Sequence, residues 1–265
     1  MIRITIVTIT YNAERLLQRT LSSVLSQTYK GVEHLIVDGA SKDGTLLMAE
    51  QYKAESDASG NCHKVIILSE PDHGIYDAMN KGLTQASGDY ILFMNAGDFF
   101  PQPDIIEKVV KTCQLNERPT DELPGVLYGN TDIVDNEGRY LHPRRLQPPE
   151  QLTWKSFRQG MLVCHQAFYA RIDIAKNNQY DLRYRYSADV DWCIRVMKET
   201  ERMGLELCNT NMVVANYTEE GATTQHHCES LKERYCVMAC HYGHIQTLLL
   251  HGWFVVRAVL GKLRK

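Results

Sequence analysis

The most informative carboxylate in this sequence is Asp98, the last residue of the run Asn95-Ala-Gly-Asp98. The run follows Tyr90 to Met94, whose continuous apolar character is typical of a parallel strand covered by helices on both faces. Ligands of open α/β sheets bind just beyond the carboxyl ends of the strands, where a carboxylate suits Mg²⁺, Mn²⁺ or a phosphate-bearing substrate. The segment therefore predicts a metal or phosphate site, with a simple turn as the alternative.

Polar residues also follow the first two predicted strands. Thr10, Tyr11 and Asn12 lie where the first strand should end, and Asp38 lies at the exit of the second. The carboxyl ends of neighbouring parallel strands meet at one edge of a sheet, so Tyr11 is placed to face a nucleotide base there. Asn12 alone is equally well explained as a helix cap. Together with Asp38, the group favours nucleotide binding.

Asp189 and Asp191 open an apolar helical pattern in the second half of the chain. Two positions along a helix correspond to a rotation of roughly 200°, so the two carboxylates cannot both point into one pocket. On local sequence alone, the favoured interpretation is that Asp189 caps the helix and that Asp191 is a favourable charge in its first turn.

Alternating strand and helix patterns position these residues. The predicted strands cover residues 2–8, 33–37, 64–68, 90–94, 125–134, 139–146, 166–169 and 211–215, and the predicted helices cover 13–26, 45–55, 75–86, 105–113, 188–200 and the chain from 229 onward. A surface loop is expected at 57–61, and a hairpin turn at 135–138. The alternation predicts an α/β fold with a doubly wound, mostly parallel sheet and helices on both faces.

Composition excludes several functional classes. The chain has 265 residues, 44% of them hydrophobic, which allows a sizeable core, and its formal net charge of -3 gives no general attraction for nucleic acid. Eight cysteines without a repeated C-x-x-C pair, and a short polar start, favour a reduced, cytoplasmic setting without a signal peptide. The sequence has no G-x-G-x-x-G or Walker-type loop, which argues against dehydrogenases and P-loop enzymes.

Four motifs in order carry a resemblance to a known family. These are Thr10-Tyr11-Asn12, Asp38-Gly-Ala-Ser41, SEPDHGIYDAMNKG at 69–82 and GDYILFMNAGD at 88–98. The chain resembles the nucleotide-sugar-dependent family-2 glycosyltransferases of the GT-A fold, the bacterial kind that build surface polysaccharides. The likeness is close over roughly the first hundred residues and weaker beyond, and it depends on the combination of motifs.

The resemblance implies an inverting, metal-dependent glycosyltransferase that moves a sugar from a nucleotide diphosphate sugar, with a UDP-sugar expected, to a glycan or lipid-linked acceptor. Asp189 falls on the position of the catalytic base, and Asp98 falls where the family usually has Asp-x-Asp for Mg²⁺ or Mn²⁺. The residues expected to hold the donor nucleotide are Thr10, Tyr11, Asn12, Asp38, Asp72 and Lys81, and the expected donor or acceptor contacts are Asn95, His165, Gln166 and Asp191.

Some residues and functions keep open alternatives. A histidine beside an apolar strand, as His165 is, often has only a structural role, and Asp72 and Lys81 can simply be solvated. A nucleotidyltransferase would release pyrophosphate instead of UDP. A non-catalytic, glycan-binding scaffold with the same fold is the third possibility, because an amide and a glycine stand at Asn95 and Gly97 where carboxylates would strengthen a metal site.

The predicted catalytic domain covers residues 1–225, with a nucleotide-binding half at 1–100 and an acceptor half at 101–225, and a helical extension covers 226–265. A packing stripe is favoured over zinc for His226, His227, Cys228, Cys236, Cys240 and His241, whose spacing lacks paired knuckles. The apolar and cationic tail from Ile245 is too short and interrupted to span a bilayer. It is expected to lie on the inner face of the plasma membrane, or to pack on the domain or in a homodimer.

Overall fold

Strand β1 (Ile4–Thr10) occupies the interior of a single sheet, and all seven of its residues are buried. The structure is a computed structural model that describes residues 1–218 and 227–252. The other strands are β2 (Val32–Asp38), β3 (Lys64–Ser69), β4 (Tyr90–Phe93), β5 (Val126–Val134), β6 (Tyr140–Pro143), β7 (Phe168–Arg171) and β8 (Leu207–Thr218). The helices are α1 (Glu14–Leu25), α2 (Thr45–Ser59), α3 (Ile75–Gln85), α4 (Ile105–Thr112), α5 (Ile172–Lys176), α6 (Ala188–Arg202) and α7 (His227–Tyr242).

The strand order is β3-β2-β1-β4-β7-β5-β6, and β8 pairs with β5. Strand β1 is parallel to both β2 and β4, and Thr10 lies opposite Asp38 in the register. A cluster that includes Leu21, Ile36 and Tyr52 packs α1 and α2 on the sheet, and a larger core contains residues from both faces of the sheet, such as Ile6 and Val7. The predicted α/β sheet with helices on both faces is confirmed, and the carboxyl ends of β1, β2 and β4 share one edge.

An aromatic cluster fixes α6 against the sheet. The indole of Trp192 stacks on Tyr180 with ring centroids 4.9 Å apart, and it meets Phe93 of β4 edge-on at 5.7 Å. Trp192 is fully buried, and Phe168 of β7 contacts it from a further side at 5.6 Å. Because large buried aromatics resist displacement, this cluster sets the distance between the start of α6 and the end of β4.

Several predicted boundaries differ from those of the structure, and three of the differences are informative. Helix α2 continues to Ser59 and ends at the left-handed Gly60, so the expected loop at 57–61 is shorter. Strand β8 begins at Leu207, four residues early, because its parallel pairing with β5 extends through a polar, bulged stretch that lacks an apolar pattern. The strand expected at 166–169 begins at Phe168, and His165–Ala167 form a 3₁₀ turn before it.

The described part of the extension confirms its helical character. Helix α7 packs on the domain, where Tyr242 stacks on Trp154 with ring centroids 5.6 Å apart, and residues 244–252 form a further helix after the break at Gly243. None of the helices in residues 1–218 and 227–252 has the length and apolar character needed to cross a bilayer. The proposed boundary at 225, His226 and the tail after Gly252 lie outside the described residues.

Candidate active site

Asp98 lies in the turn after β4 and is only 6% exposed. The hydroxyl of Thr20 on α1 donates to the Asp98 carbonyl at 2.7 Å and accepts the Gly97 amide at 2.9 Å. The Gly97 backbone has a φ of 103°, which favours glycine. The next residue, Phe99, exchanges backbone hydrogen bonds with Asn216 of β8 at 2.8 and 3.0 Å. The turn is therefore fixed from both sides and presents the carboxylate rigidly.

The carboxylate of Asp98 is held in its charged form only weakly. Burial raises its pKa to about 6, although a hydrogen bond from Gln166 and the charges of His165 and Arg19 oppose the shift. The Gln166 Nε2 donates to Oδ2 of Asp98 at 3.0 Å. A buried carboxylate with so little compensation gains from a cation, because removal from water without a partner is costly.

His165 connects the Asp98 turn to the start of α6. Its Nδ1 lies 3.5 Å from Oδ2 of Asp189, and its Nε2 lies 3.2 Å from the Asn95 amide nitrogen. An amide nitrogen can only donate, so in the neutral form of His165 Nε2 accepts and the Nδ1 proton points to Asp189. The adjacent pair His165-Gln166 therefore contacts both carboxylates, one through each side chain.

Asp189 lies in the first turn of α6, where its Oδ1 accepts two hydrogen bonds and its Oδ2 lies against His165. The Tyr76 hydroxyl donates to its Oδ1 at 3.2 Å, and the Val190 amide donates to the same atom at 2.9 Å. Burial raises the pKa of Asp189, but the hydrogen bond and charge of His165 and the charge of Arg234 outweigh it, so the net pKa lies below the usual value. Asp189 is therefore ionised at neutral pH.

Asp191 lies outside this cluster, although it was predicted as a donor or acceptor contact. Its Oδ2 accepts from Arg195 Nε at 2.7 Å, and its Oδ1 lies 2.8 Å from Nε2 of His241 on α7. Burial raises the pKa of Asp191, whereas His241 and Arg195 lower it to a net value below normal. The helical rotation between the two positions explains why Asp191 faces α7 and Asp189 faces the sheet edge.

The predicted nucleotide-binding residues gather around the ends of β1 and β2. Asp38 is fully buried and accepts from the hydroxyl of Ser69 at 2.6 Å, from the Ser41 amide at 3.1 Å and from the Ser41 hydroxyl. Asn12 Oδ1 accepts from the Lys42 amide at 2.8 Å, which joins the two strand exits. Thr10 is buried beside Asp38, whereas Tyr11 is 63% exposed and free to face a ligand.

Asp72 joins this group and Lys81 lies at its margin. A Cβ on Gly39 would lie 2.5 Å from Oδ2 of Asp72, so the loop before α3 touches the exit of β2. Lys81 Nζ lies 2.9 Å from Glu70 and donates to the Pro71 carbonyl at 2.6 Å. The ammonium group of Lys81 therefore stabilises the loop before α3, which contains Glu70 and Pro71.

The residues near Asp98 suit a hard cation. The buried oxygens Asn95 Oδ1 and Gln166 Oε1 have no hydrogen-bond partner in the structure. Oxygen donors of this kind are those that Mg²⁺ and Mn²⁺ prefer. Across residues 1–218 and 227–252, no group of three or more His, Cys, Asp and Glu side chains could form a metal cage. A cation at Asp98 would therefore need further oxygens from its ligand, as a diphosphate supplies.

Glu233 on α7 is a contact that the sequence did not indicate. Its carboxylate accepts the backbone amides of Arg185, Tyr186 and Ser187 at 2.9, 2.6 and 3.1 Å. These amides directly precede Asp189, and the N-cap of α6, Ser187, makes no side-chain cap of its own. Glu233 thus anchors the backbone that leads into α6 from another helix.

We expect Glu233→Ala to loosen the segment before Asp189, because three amides lose their acceptor. Deuterium exchange of peptides covering residues 183–190 should accelerate by about ten-fold or more, which corresponds to the loss of about 1.4 kcal/mol of local stability. The exposed neighbour Lys232→Ala is the matched control and should leave the exchange rate unchanged. Equal exchange rates in both variants would contradict the anchoring role of Glu233.

The two carboxylates should differ in how they affect stability with pH. The folded-state pKa of Asp98 lies near 6, above its ordinary 3.8, so deprotonation in this window destabilises the fold. In EDTA, wild type should therefore lose on the order of 3 kcal/mol relative to Asp98→Asn as the pH rises through this window. Thermal melts of wild type and of Asp98→Asn test this prediction. They are recorded in EDTA at several pH values between 3.8 and about 6, and at neutral pH.

Asp189→Asn provides the contrast. Because the folded-state pKa of Asp189 is depressed, its stabilisation is complete above its ordinary 3.8 and is lost only at lower pH. The stability difference between wild type and Asp189→Asn should stay constant across the same range. A pH-independent difference for Asp98→Asn would show that Asp98 is not perturbed by burial.

Comparisons with known proteins identify the family of this chain. Residues 5–176 match the family model described as Glycosyl transferase family 2. The chain is 32% identical to a PGL/p-HBAD biosynthesis glycosyltransferase of Mycobacterium bovis (strain BCG / Pasteur 1173P2) over 213 residues, which cover 80% of this chain and 75% of the relative. It is also 32% identical to an uncharacterized glycosyltransferase of Mycobacterium tuberculosis over 197 residues, 72% of this chain and 68% of the relative.

Solved structures share the fold at low identity. S. aureus TarS 1-349 in complex with UDP-GlcNAc has a TM-score of 0.67 and 18% identity, over 90% of this chain and 65% of that one. The chain spans only 38% of a longer TarS structure. A further neighbour is glucosyl-3-phosphoglycerate synthase from Mycobacterium tuberculosis in complex with Mn²⁺, UDP and glucosyl-3-phosphoglycerate. Its TM-score is 0.58 at 15% identity, over 90% of this chain and 79% of that one. This chain accordingly belongs to glycosyl transferase family 2 and adopts the GT-A fold.

Proposed function

We propose that this protein is an inverting glycosyltransferase that moves a sugar from a UDP-sugar to a hydroxyl of a glycan or lipid-linked acceptor in surface polysaccharide synthesis. One observation carries the proposal. Asp98 and Asp189 come from distant parts of the chain, yet the adjacent side chains of His165 and Gln166 contact both of them. A metal or phosphate site and a base within one cluster are what transfer from a diphosphate to a hydroxyl requires.

The donor would bind across the shared ends of β1, β2 and β4. Asp38, Asp72 and the exposed ring of Tyr11 would hold the nucleoside, with Thr10 and Asn12 shaping the edge. Support for a UDP-sugar comes from the TarS complex with UDP-GlcNAc and from the synthase complex with UDP. Both neighbours are similar only in fold, so the donor assignment is a proposal for this chain.

A divalent cation, Mg²⁺ or Mn²⁺, would be held by Asp98, with the unpartnered oxygens of Asn95 and Gln166 nearby. Bound there, the cation supplies charge neutralisation for the departing diphosphate. The Mn²⁺ in two neighbouring GT-A structures supports this choice of ion class. The chain itself contributes a carboxylate whose raised pKa would return to normal when the positive charge is present.

Asp189 would accept the proton of the acceptor hydroxyl. Its net pKa is depressed, so it is ionised and ready to accept, while His165 and Tyr76 hold both of its oxygens in place. The new bond from the acceptor oxygen to the anomeric carbon forms as the bond to UDP breaks, and UDP leaves with the electron pair. Attack from the face opposite the diphosphate inverts the anomeric centre.

Asp189→Asn should abolish transfer while the donor still binds. Removing a positioned base costs about 10²–10⁴-fold in kcat. Binding of a UDP-sugar with Mn²⁺ should raise Tm in wild type and variant alike, because a ligand of the native state stabilises it. Release of UDP, measured by coupled assay over a panel of UDP-sugars, checks the rate.

The matched control is Asp191→Asn, which removes a buried carboxylate from the same helix but from the face towards α7. It should cost stability and leave the rate of transfer by the folded protein within about two-fold. Transfer that survives in Asp189→Asn and disappears in Asp191→Asn would overturn the assignment of the base. Donor binding without turnover in wild type would favour the scaffold alternative.

We also propose that the extension rests on an anionic membrane surface. Ile245, Leu248 and Leu249 are 81%, 65% and 71% exposed, and their spacing places them on one helix face. From residue 245 to the end of the sequence there are four basic residues, Arg257, Lys262, Arg264 and Lys265, and no acidic residue. An apolar face joined to a cationic segment suits anionic lipid headgroups.

The full chain should sediment with vesicles containing phosphatidylglycerol and not with vesicles of phosphatidylcholine alone. Replacing Ile245, Leu248 and Leu249 with serine should release it, because the buried apolar area is lost. Leu47, which is exposed on α2, provides the control substitution Leu47→Ser. A wild-type dimer in solution that the triple variant converts to monomer, without vesicle binding, would assign this face to a homodimer instead.

A further inference from the structure

Two buried cysteines from distant parts of the chain lie in contact. The Sγ atoms of Cys113 and Cys208 are 2.7 Å apart, although 95 positions separate the two residues along the chain. Cys113 is the C-cap residue of α4, and Cys208 lies at the start of β8. Cys113 is fully buried, whereas Cys208 is 8% exposed, and both thiols are free in the structure. The packing of α4 on β8 therefore brings the two thiols together.

Other contacts hold the start of β8 against the end of α4. Arg118 follows α4, and its guanidinium lies 2.7 Å from the carboxylate of Glu206, which directly precedes β8. On the other side of Cys208, the hydroxyl of Thr210 donates to the Tyr128 carbonyl at 3.0 Å. Because contacts fix the chain on both sides of Cys208, the approach of the two sulfur atoms is a feature of the packed fold.

The two thiols differ in acidity and in exposure. The hydrogen bond between them lowers the pKa of Cys208, and burial offsets this only in part. The same hydrogen bond and burial raise the pKa of Cys113. The thiolate is the form of cysteine that reacts with oxidants. Cys208, which is both more acidic and more exposed, is therefore suited to react first, and Cys113 lies in contact to react second.

We propose that Cys113 and Cys208 form a redox modification site, at which a peroxide oxidises the two thiols to a disulfide. A disulfide bond is about 2.0 Å long, so the sulfur atoms are already near bonding distance. Neither cysteine is among the residues assigned to donor, cation or acceptor. The proposal therefore goes beyond glycosyl transfer and stands whether or not the chain transfers a sugar.

The oxidation balances with hydrogen peroxide as the oxidant. The Cys208 thiolate attacks one peroxide oxygen and the O–O bond breaks, which gives a sulfenic acid on Cys208 and hydroxide. Cys113 gives its proton to this hydroxide, and its thiolate attacks the sulfur of Cys208. The S–S bond forms as the S–O bond breaks, and the departing hydroxide takes the proton that Cys208 released on ionising. Two thiols lose two electrons, and peroxide is reduced to two molecules of water.

The disulfide would close a long loop of the chain. Residues 113–208 include β5, β6, β7, α5 and α6. Closing a loop of this length restricts the unfolded chain more than the folded one, which raises the stability of the fold. The start of β8 pairs with β5 through shifts of register, so the bond would reinforce an irregular part of the sheet.

The test compares folded protein treated with hydrogen peroxide and folded protein kept in dithiothreitol. After the remaining thiols are alkylated and the oxidised protein is digested without reductant, mass spectrometry should find one peptide pair joined through Cys113 and Cys208. Dithiothreitol should separate the pair, because thiols reduce an accessible disulfide by exchange. The Tm of the oxidised protein should exceed that of the reduced protein by roughly 5–10 °C.

Cys113→Ala and Cys208→Ala should lose both the joined peptides and the difference in Tm between oxidised and reduced protein. Each variant is compared with its own reduced form, so the packing lost with the thiol does not affect the comparison. The exposed Cys62 provides the matched control Cys62→Ala, which should keep the joined peptides and the difference in Tm.

Oxidation that joins chains to one another only through the exposed cysteines would overturn the proposal; these are Cys62, Cys228, Cys236 and Cys240. Oxidation of Cys208 that never leads to the joined peptides would overturn it as well. A difference in Tm that persists in Cys113→Ala would show that another site is responsible. If either alanine variant does not fold, the digest of the oxidised wild type decides, because it identifies the joined residues directly.

Discussion

The contact of two adjacent side chains, His165 and Gln166, with the buried carboxylate of Asp98 and the half-buried carboxylate of Asp189 is the constraint on which the site depends. Asp98 follows a strand of the first half of the chain, and Asp189 begins a helix of the second. Burying a carboxylate is costly unless hydrogen bonds or opposite charge compensate for it. The pair provides one such contact to each, so the arrangement is stable only when the 3₁₀ turn at 165–167, the Asp98 turn and α6 are all in place.

The environments of the two carboxylates shift their pKa values in opposite directions. Asp98 has little hydrogen-bond compensation and its pKa rises to about 6, whereas His165 and Arg234 bring the pKa of Asp189 below normal. Separation of this kind commonly distinguishes the roles of paired acids in an enzyme site. Asp98 is suited to bind a cation, and Asp189 is suited to accept a proton. The burial of the charged Asp98 carboxylate lowers the stability of the fold.

The C-terminal helix α7 belongs to this site as much as the sheet does. The family model ends at residue 176, before Asp189 and before Glu233. Yet Glu233 anchors the backbone of the segment in front of Asp189, His241 contacts Asp191 and the charge of Arg234 acts on Asp189.

The sequence by itself determined the α/β class, the positions of the first four strands along the chain and the candidate carboxylates. Those features follow from local patterns: apolar runs such as Tyr90–Phe93, and motif residues such as Asp38 and Asp98 at strand exits. The predicted strand at 211–215 is shorter than β8, which begins at Leu207. The polar residues at its start are part of the strand because they pair with β5.

Only the tertiary structure decided which carboxylates share a site. Asp189 and Asp191 are two positions apart on one helix, and the rotation of α6, set by Trp192 against Phe93, turns one to the sheet edge and the other to α7. Tyr76 and Glu233 reach the base segment from positions more than forty residues away along the chain. Contacts at such sequence separation leave no periodic signal, because they depend on how whole elements pack and not on the residues beside them.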